Sequence, residues 1–194
     1  MRRPFMNTPE QLASLEGQQY LVLRPTAAVA RAYELTQAPL LARAPLPHPH
    51  TGHITLRGFY EPERRAELAN LVREWAAAQP PVEAVVEAVD AFPAPWQIVI
   101  LRLARTPSLL RAYASLTAAL EGTDLRRLGE LSLDDWTFHL SVLYAKTLDA
   151  DGWGLLESGV REEFETPPAE TITEAELVWY EGRAEHAEVI PLRG

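Results

Sequence analysis

A chain of 194 residues with 18 Lys and Arg against 27 Asp and Glu, a net charge of −9, has no basic face with which to grip long nucleic acid. It contains no cysteine, which excludes disulfides, thiol nucleophiles and cysteine metal clusters, and its 47% apolar make-up supplies ample material for a core. No apolar run follows the arginines of residues 1–7 or approaches the roughly 20 residues of a membrane helix. The expectation is therefore a cytoplasmic protein with no membrane partner and no extensive nucleic-acid binding, acting as a monomer.

In chain order, residues 1–17 are polar and are expected to form a loose tail. Residues 20–24 (YLVLR), short, apolar and closed by Pro25, read as a strand. Thr26 is placed to cap a helix over 26–35, and the prolines at 39, 45, 47 and 49 make 37–52 a loop. A strand over 53–59 (HITLRGF) follows. A period of two sets His53, Thr55 and Arg57 on one face and Ile54, Leu56 and Gly58 on the other. Glu61–Pro62 opens a helix whose buried stripe is Leu68, Leu71, Val72 and Trp75, ended by Pro80–Pro81. Strands over 82–90 and 96–104 come next, then a helix capped at Thr106–Pro107 and a loop over 122–135. The strand over 136–145 (WTFHLSVLYA) puts Thr137, His139 and Ser141 on one face and Phe138, Leu140, Val142 and Tyr144 on the other. A helix over about 149–165 and a hairpin over 170–192, turning near Gly182, complete the chain. A histidine strand followed by an amphipathic helix and more strand thus occurs twice. This pattern reads as a diverged internal duplication and predicts an α+β or α/β chain of two similar lobes.

The chemistry sits in His53-Ile54-Thr55-Leu56 and His139-Leu140-Ser141-Val142. In each, an imidazole and a hydroxyl two residues apart share one face of a strand while the apolar neighbours anchor the other. A lone match has a dull explanation, a histidine hydrogen-bonded on a half-buried strand. Two matches among five histidines is an event of roughly half a per cent, and that carries the argument. With an unperturbed pKa near 6.5, one imidazole can serve as base and the other as acid, in an order the motifs leave open. Thr55 and Ser141 would donate hydrogen bonds to phosphate oxygens where charge grows. Arg57, on the face of His53 and Thr55, either offsets phosphate charge at the groove edge or is a solvated strand end. Tyr20, Tyr33, Tyr60 and Trp136 are candidates for stacking on a base, with core or rim as the plainer reading. His48, His50 and His53 invite a zinc reading, but prolines interrupt them and no acidic residue interleaves, so no metal is expected. There is no Gly-x-Ser-x-Gly elbow and no GxxxxGK[ST] loop.

HITLRGF and HLSVLY resemble the paired His-x-Thr/Ser motifs of the 2H phosphoesterase superfamily, which includes the 2′-5′ RNA ligase-like proteins and RNA 2′,3′-cyclic phosphodiesterases. The likeness extends over most of the chain in motif spacing, strand–helix order and length. It implies an α+β, bilobal fold: two similar lobes of antiparallel sheet with outer helices around a central groove, all of 1–194 forming one catalytic domain with one motif from each lobe. It implies His53 and His139 as catalytic residues, Thr55 and Ser141 as phosphate ligands, no cofactor, and a cyclic nucleotide or RNA terminus as substrate, opened at its cyclic phosphodiester. A nucleotide or RNA-end binder of the same fold, RNA ligation, and a metal hydrolase at His48, His50 and His53 remain as alternatives.

Overall fold

The computed structural model describes residues 2–194. Helix α1 (Pro9–Ser14) leads into strand β1 (Gln19–Leu23), helix α2 (Ala28–Arg43), β2 (Ile54–Phe59), α3 (Arg65–Ala78), β3 (Val82–Phe92), β4 (Ile98–Leu103) and α4 (Pro107–Leu120). The two-residue β5 (Arg127–Leu128), β6 (His139–Tyr144), α5 (Ala150–Val160), β7 (Glu162–Glu163), β8 (Ala169–Ile172), β9 (Glu174–Glu181) and β10 (Ala184–Pro191) follow. They form two antiparallel sheets, one ordered β10-β9-β1-β2-β5, the other β6-β4-β3-β7 with β8 also on β3. Each sheet carries one histidine motif, as the two-lobe reading expects. The lobes are nevertheless interleaved in sequence, because the C-terminal hairpin β9–β10 joins the sheet of β1 and β2. That hairpin turns on Gly182 and Arg183, both in the left-handed region (φ 61° and 60°), the pair of angles a two-residue turn needs to match strand twist.

One large apolar core fills the space between the sheets and their helices, with Leu21, Leu56, Val72, Leu101, Leu116 and Leu140 fully buried in it. A second, small cluster of Phe5, Met6, Val22, Val178 and Tyr180 lies on the groove side of the first sheet. Residues 2–17 are accordingly not the loose tail that the polarity of 1–17 predicts. Thr8 and Gln11 exchange the reciprocal hydrogen bonds of a capping box at the start of α1. Phe5 and Met6 bury against strand residues far along the chain, a complementarity no local pattern reports.

Helix α2 also differs from expectation, running through Pro39 to Arg43. Pro39 and Leu35 are both exposed, so the Leu35 carbonyl that loses its helical partner can turn to water. Its N-terminus is capped by the carboxylate of Glu170 from β8, which accepts from the backbone N–H of Thr26, Ala27 and Val29 at 2.7, 3.0 and 2.8 Å. The long helix predicted over 149–165 stops at Val160, where the chain turns to pair β7 with β3. Among the described residues no helix is long and apolar enough to cross a membrane.

Candidate functional site

The motif strands β2 and β6 meet across the groove between the sheets. A cavity of about 140 Å³ there is lined by His53 and Thr55 from the first motif, Ser141 and Tyr144 from the second, and Phe5 and Tyr180. His139, on the same motif strand as Ser141, does not line this cavity; its ring stands edge-on to the Phe92 ring at 4.9 Å. The two imidazoles are held alike. Nδ1 of His53 donates to the Thr51 carbonyl at 3.4 Å, and Nδ1 of His139 to the Thr137 carbonyl at 2.8 Å. A carbonyl only accepts, so hydrogen bonding assigns the proton to Nδ1 and leaves each Nε2 with a free lone pair. The repeat is thus Thr-x-His-x-Thr/Ser. The threonines two places before each histidine are plain in the sequence, but only the fold reveals that their carbonyls fix the tautomer.

A β-bulge breaks the alternation after each hydroxyl residue. Val22 pairs with Thr55 and Leu21 with Arg57, so Leu56 is an extra residue on β2. Directly opposed residues share a face. Arg57 therefore turns with Leu21 away from the groove and into the protein. There it pairs with Glu130 at 2.9 Å, donates to Thr117 Oγ1 at 2.8 Å and lies over the Tyr113 ring at 4.5 Å, only 1% exposed. This corrects the expectation that Arg57 reaches a phosphate or is a solvated strand end. On β6 the shift acts the other way. Ile100 pairs with Ser141 and Val99 with Leu143, which makes Val142 the extra residue and swings Tyr144, predicted to face the core, into the groove.

Burial, reinforced by the positive charges of Arg24 and His139, pushes the His53 pKa down to about 4 against the pull of the Thr51 carbonyl and Glu176. Burial also lowers His139, with the Thr137 carbonyl opposing. Both rings are therefore neutral at pH 7, each offering a basic Nε2. Tyr144 is pushed up to about 12, by burial first, and stays a hydrogen-bond donor. Arg24 reaches Thr51 Oγ1 at 3.0 Å and pairs with Glu176 at 2.5 Å. Burial alone would raise Glu176, but Arg24 and Arg2 together reverse this and hold it ionised.

Two further residues register the motif strands against each other. Gln37, predicted to lie in a loop, is buried on α2. Its Nε2 reaches the carbonyls of Pro49, ahead of the first motif, and Val142, inside the second, at 2.9 and 2.8 Å. Gly52 sits where an added Cβ would lie 2.8 Å from Leu140 and 2.9 Å from Tyr33. Gly52→Ala should separate the two strands by a few tenths of an ångström or more, and any chemistry that needs both motifs in register should lose roughly 10- to 100-fold in kcat/KM. Steady-state kinetics beside a thermal melt checks this; unchanged turnover would show that the strands tolerate the shift. His48 and His50 lie ring to ring at 4.9 Å on the loop, but among the described residues no group of three or more His, Cys, Asp or Glu is placed to hold a metal ion.

The 2′-5′ RNA ligase superfamily matches residues 25–184. Among solved structures, TT0787 of Thermus thermophilus is similar at 18% identity and a TM-score of 0.67, over 91% of this chain and 98% of that one. LigT of E. coli, in a complex with 3′-AMP, is similar at 14% identity and 0.57, over 91% and 95%. Usb1 of Kluyveromyces marxianus is similar at 11% identity and 0.54, over 92% and 100%. No curated protein matches in sequence. At such identities the structures attest the fold alone, and the family match, which spans most of the chain, attests the membership: this protein belongs to the 2′-5′ RNA ligase superfamily, the 2H phosphoesterases.

Proposed function

We propose that the chain hydrolyses a cyclic phosphodiester, a 2′,3′-cyclic phosphate on a small nucleotide or an RNA end, using His53 and His139 and no metal. One observation carries the reading: two imidazoles, each with Nδ1 tied to a carbonyl two residues upstream and Nε2 left free, stand on motif strands that meet, with His53, Thr55 and Ser141 lining one cavity. One Nε2 takes a proton from water as its oxygen attacks phosphorus. The other imidazole, protonated, gives its proton to the ribose oxygen as the P–O bond of the ring breaks, leaving a phosphomonoester. Thr55, Ser141 and the protonated Tyr144 donate to the non-bridging oxygens. The pair supplies both proton transfers, so the scheme needs no metal-bound water. The complex of LigT with 3′-AMP favours a nucleotide substrate for this groove as well. The net charge of −9 favours a small substrate or short terminus over long RNA, and a cytoplasmic monomer suits that role.

The test is hydrolysis of nucleoside 2′,3′-cyclic monophosphates in EDTA, from about pH 4 to pH 8. The base must be deprotonated and the acid protonated, so kcat/KM rises through the lower pKa and falls through the higher. Both imidazoles lie below their ordinary value, His53 at about 4. The bell is therefore expected on the acid side of about 6.5. Failure to turn over any cyclic phosphate would overturn the proposal, and activity abolished by EDTA would overturn its metal-free mechanism.

A further inference from the structure

The two imidazoles are tied alike but not equally. The Nδ1 bond of His139 to the Thr137 carbonyl, 2.8 Å, is of ordinary length, whereas that of His53 to the Thr51 carbonyl, 3.4 Å, exceeds the usual limit of about 3.2 Å. That carbonyl by itself holds His53 loosely. A second set of contacts closes on His53 from Arg24, the residue after β1. Arg24 Nη1 donates to Thr51 Oγ1 at 3.0 Å, on the residue whose carbonyl holds Nδ1. The same guanidinium lies 3.9 Å from the centroid of the Phe5 ring, and that ring packs at 4.3 Å against the imidazole. Phe5 is 1% exposed, so it has no room to swing away. Glu176 on β9 fixes the guanidinium, accepting from Nε at 2.5 Å and from Nη2 at 3.1 Å, a fork that only arginine's planar geometry can offer.

We propose that Arg24 is a positioning residue for His53: one guanidinium sets both the residue that holds Nδ1 and the ring on which the imidazole rests, and so keeps Nε2 free for proton transfer. Its effect on rate rests on the hydrolase reading above; its effect on the ring rests on the geometry alone. Without the clamp a neutral imidazole returns toward the Nε2–H form it favours in water, and the basic nitrogen is lost from the groove. The charged and titratable groups that face His53 are Arg24, Glu176 on β9 and His139 on β6, with Tyr144 and Tyr180 lining the same cavity. Arg24 opposes an imidazolium there and Glu176 favours one.

The test compares the wild type with Arg24→Met and with Thr51→Val, which exchanges the gripped hydroxyl for a methyl group and leaves every charge in place. The tautomers of both histidines are read from their imidazole ¹⁵N shifts at about pH 7.5, where both rings are neutral. The wild type should show Nδ1–H at both. In each variant His53 should gain the Nε2–H form while His139 does not change. Arg24→Met should also raise the His53 pKa, because a positive charge leaves, whereas Thr51→Val should not. On 2′,3′-cyclic AMP, Arg24→Met should lower kcat by about tenfold with KM within about twofold, and Thr51→Val should lower kcat by less. A wild-type tautomer at His53 in a folded variant would overturn the clamp, and so would an equal change at His139, the mark of a general loosening. Thr51→Val decides should Arg24→Met fail to fold. Absence of hydrolysis by every form would instead overturn the hydrolase reading, and the tautomers would still decide for or against the clamp.

Discussion

His53→Ala and His139→Ala are each expected to lower kcat/KM on a cyclic phosphate by about 10²- to 10⁴-fold, the range general acid–base catalysis contributes. In the proposed mechanism the two imidazoles act in one concerted displacement, so losing the second after the first should add little, and the double variant should fall far short of the product of the singles. Both side chains are only half-buried and their Nδ1 bonds are to local carbonyls, so the variants should melt close to the wild type. The same variants separate catalysis from binding. An enzyme loses turnover while product nucleotide still binds through the proposed phosphate ligands Thr55 and Ser141. A binder shows no turnover to lose. A single variant that kept most of its activity would sink the two-histidine mechanism, whichever histidine it lacked.

The motifs are legible because a strand's period of two and the rarity of histidine together make a strong local signal. The rest of the site depends on contacts that local patterns do not encode. Strict alternation places Arg57 in the groove and Tyr144 in the core. One bulged residue in each strand, Leu56 and Val142, reverses both assignments, and nothing in HITLRGF or HLSVLY marks a bulge beyond the adjacent buried pair Val142–Leu143. Gln37 reads as loop because Pro39 follows it. The helix continues because the carbonyl that proline orphans lies at its exposed face, and this brings Gln37 under both motif strands. Phe5 and Met6 sit in a segment too polar on average to predict burial. Their partners, Glu185 and Tyr180, are at the opposite end of the chain. The sequence thus carries the paired motifs and the α+β class, whereas the burial of Phe5 and Met6, the tautomer-fixing carbonyls and the strand registration arise only from the tertiary arrangement.

The reassignment of Arg57 has a consequence of its own. Arg57→Ala should destabilise the fold by about 3 kcal/mol, because it removes a buried side chain together with its ion pair, its hydrogen bond to Thr117 and its contact with the Tyr113 ring. The figure lies at the lower end for a broken buried pair because the partner Glu130 is 32% exposed and can rehydrate. For a chain of this size that corresponds to a fall in Tm on the order of 10 °C. Arg57→Lys should recover only part of it, since an ammonium can meet Glu130 or Thr117 but cannot stack a planar guanidinium on Tyr113. The folded fraction of both variants should keep kcat/KM within about twofold, for Arg57 lies behind β2 and does not touch the cavity. The opposite result, lost turnover with an unchanged melt, would return Arg57 to the phosphate and would mean that β2 does not carry the bulge on which this geometry depends.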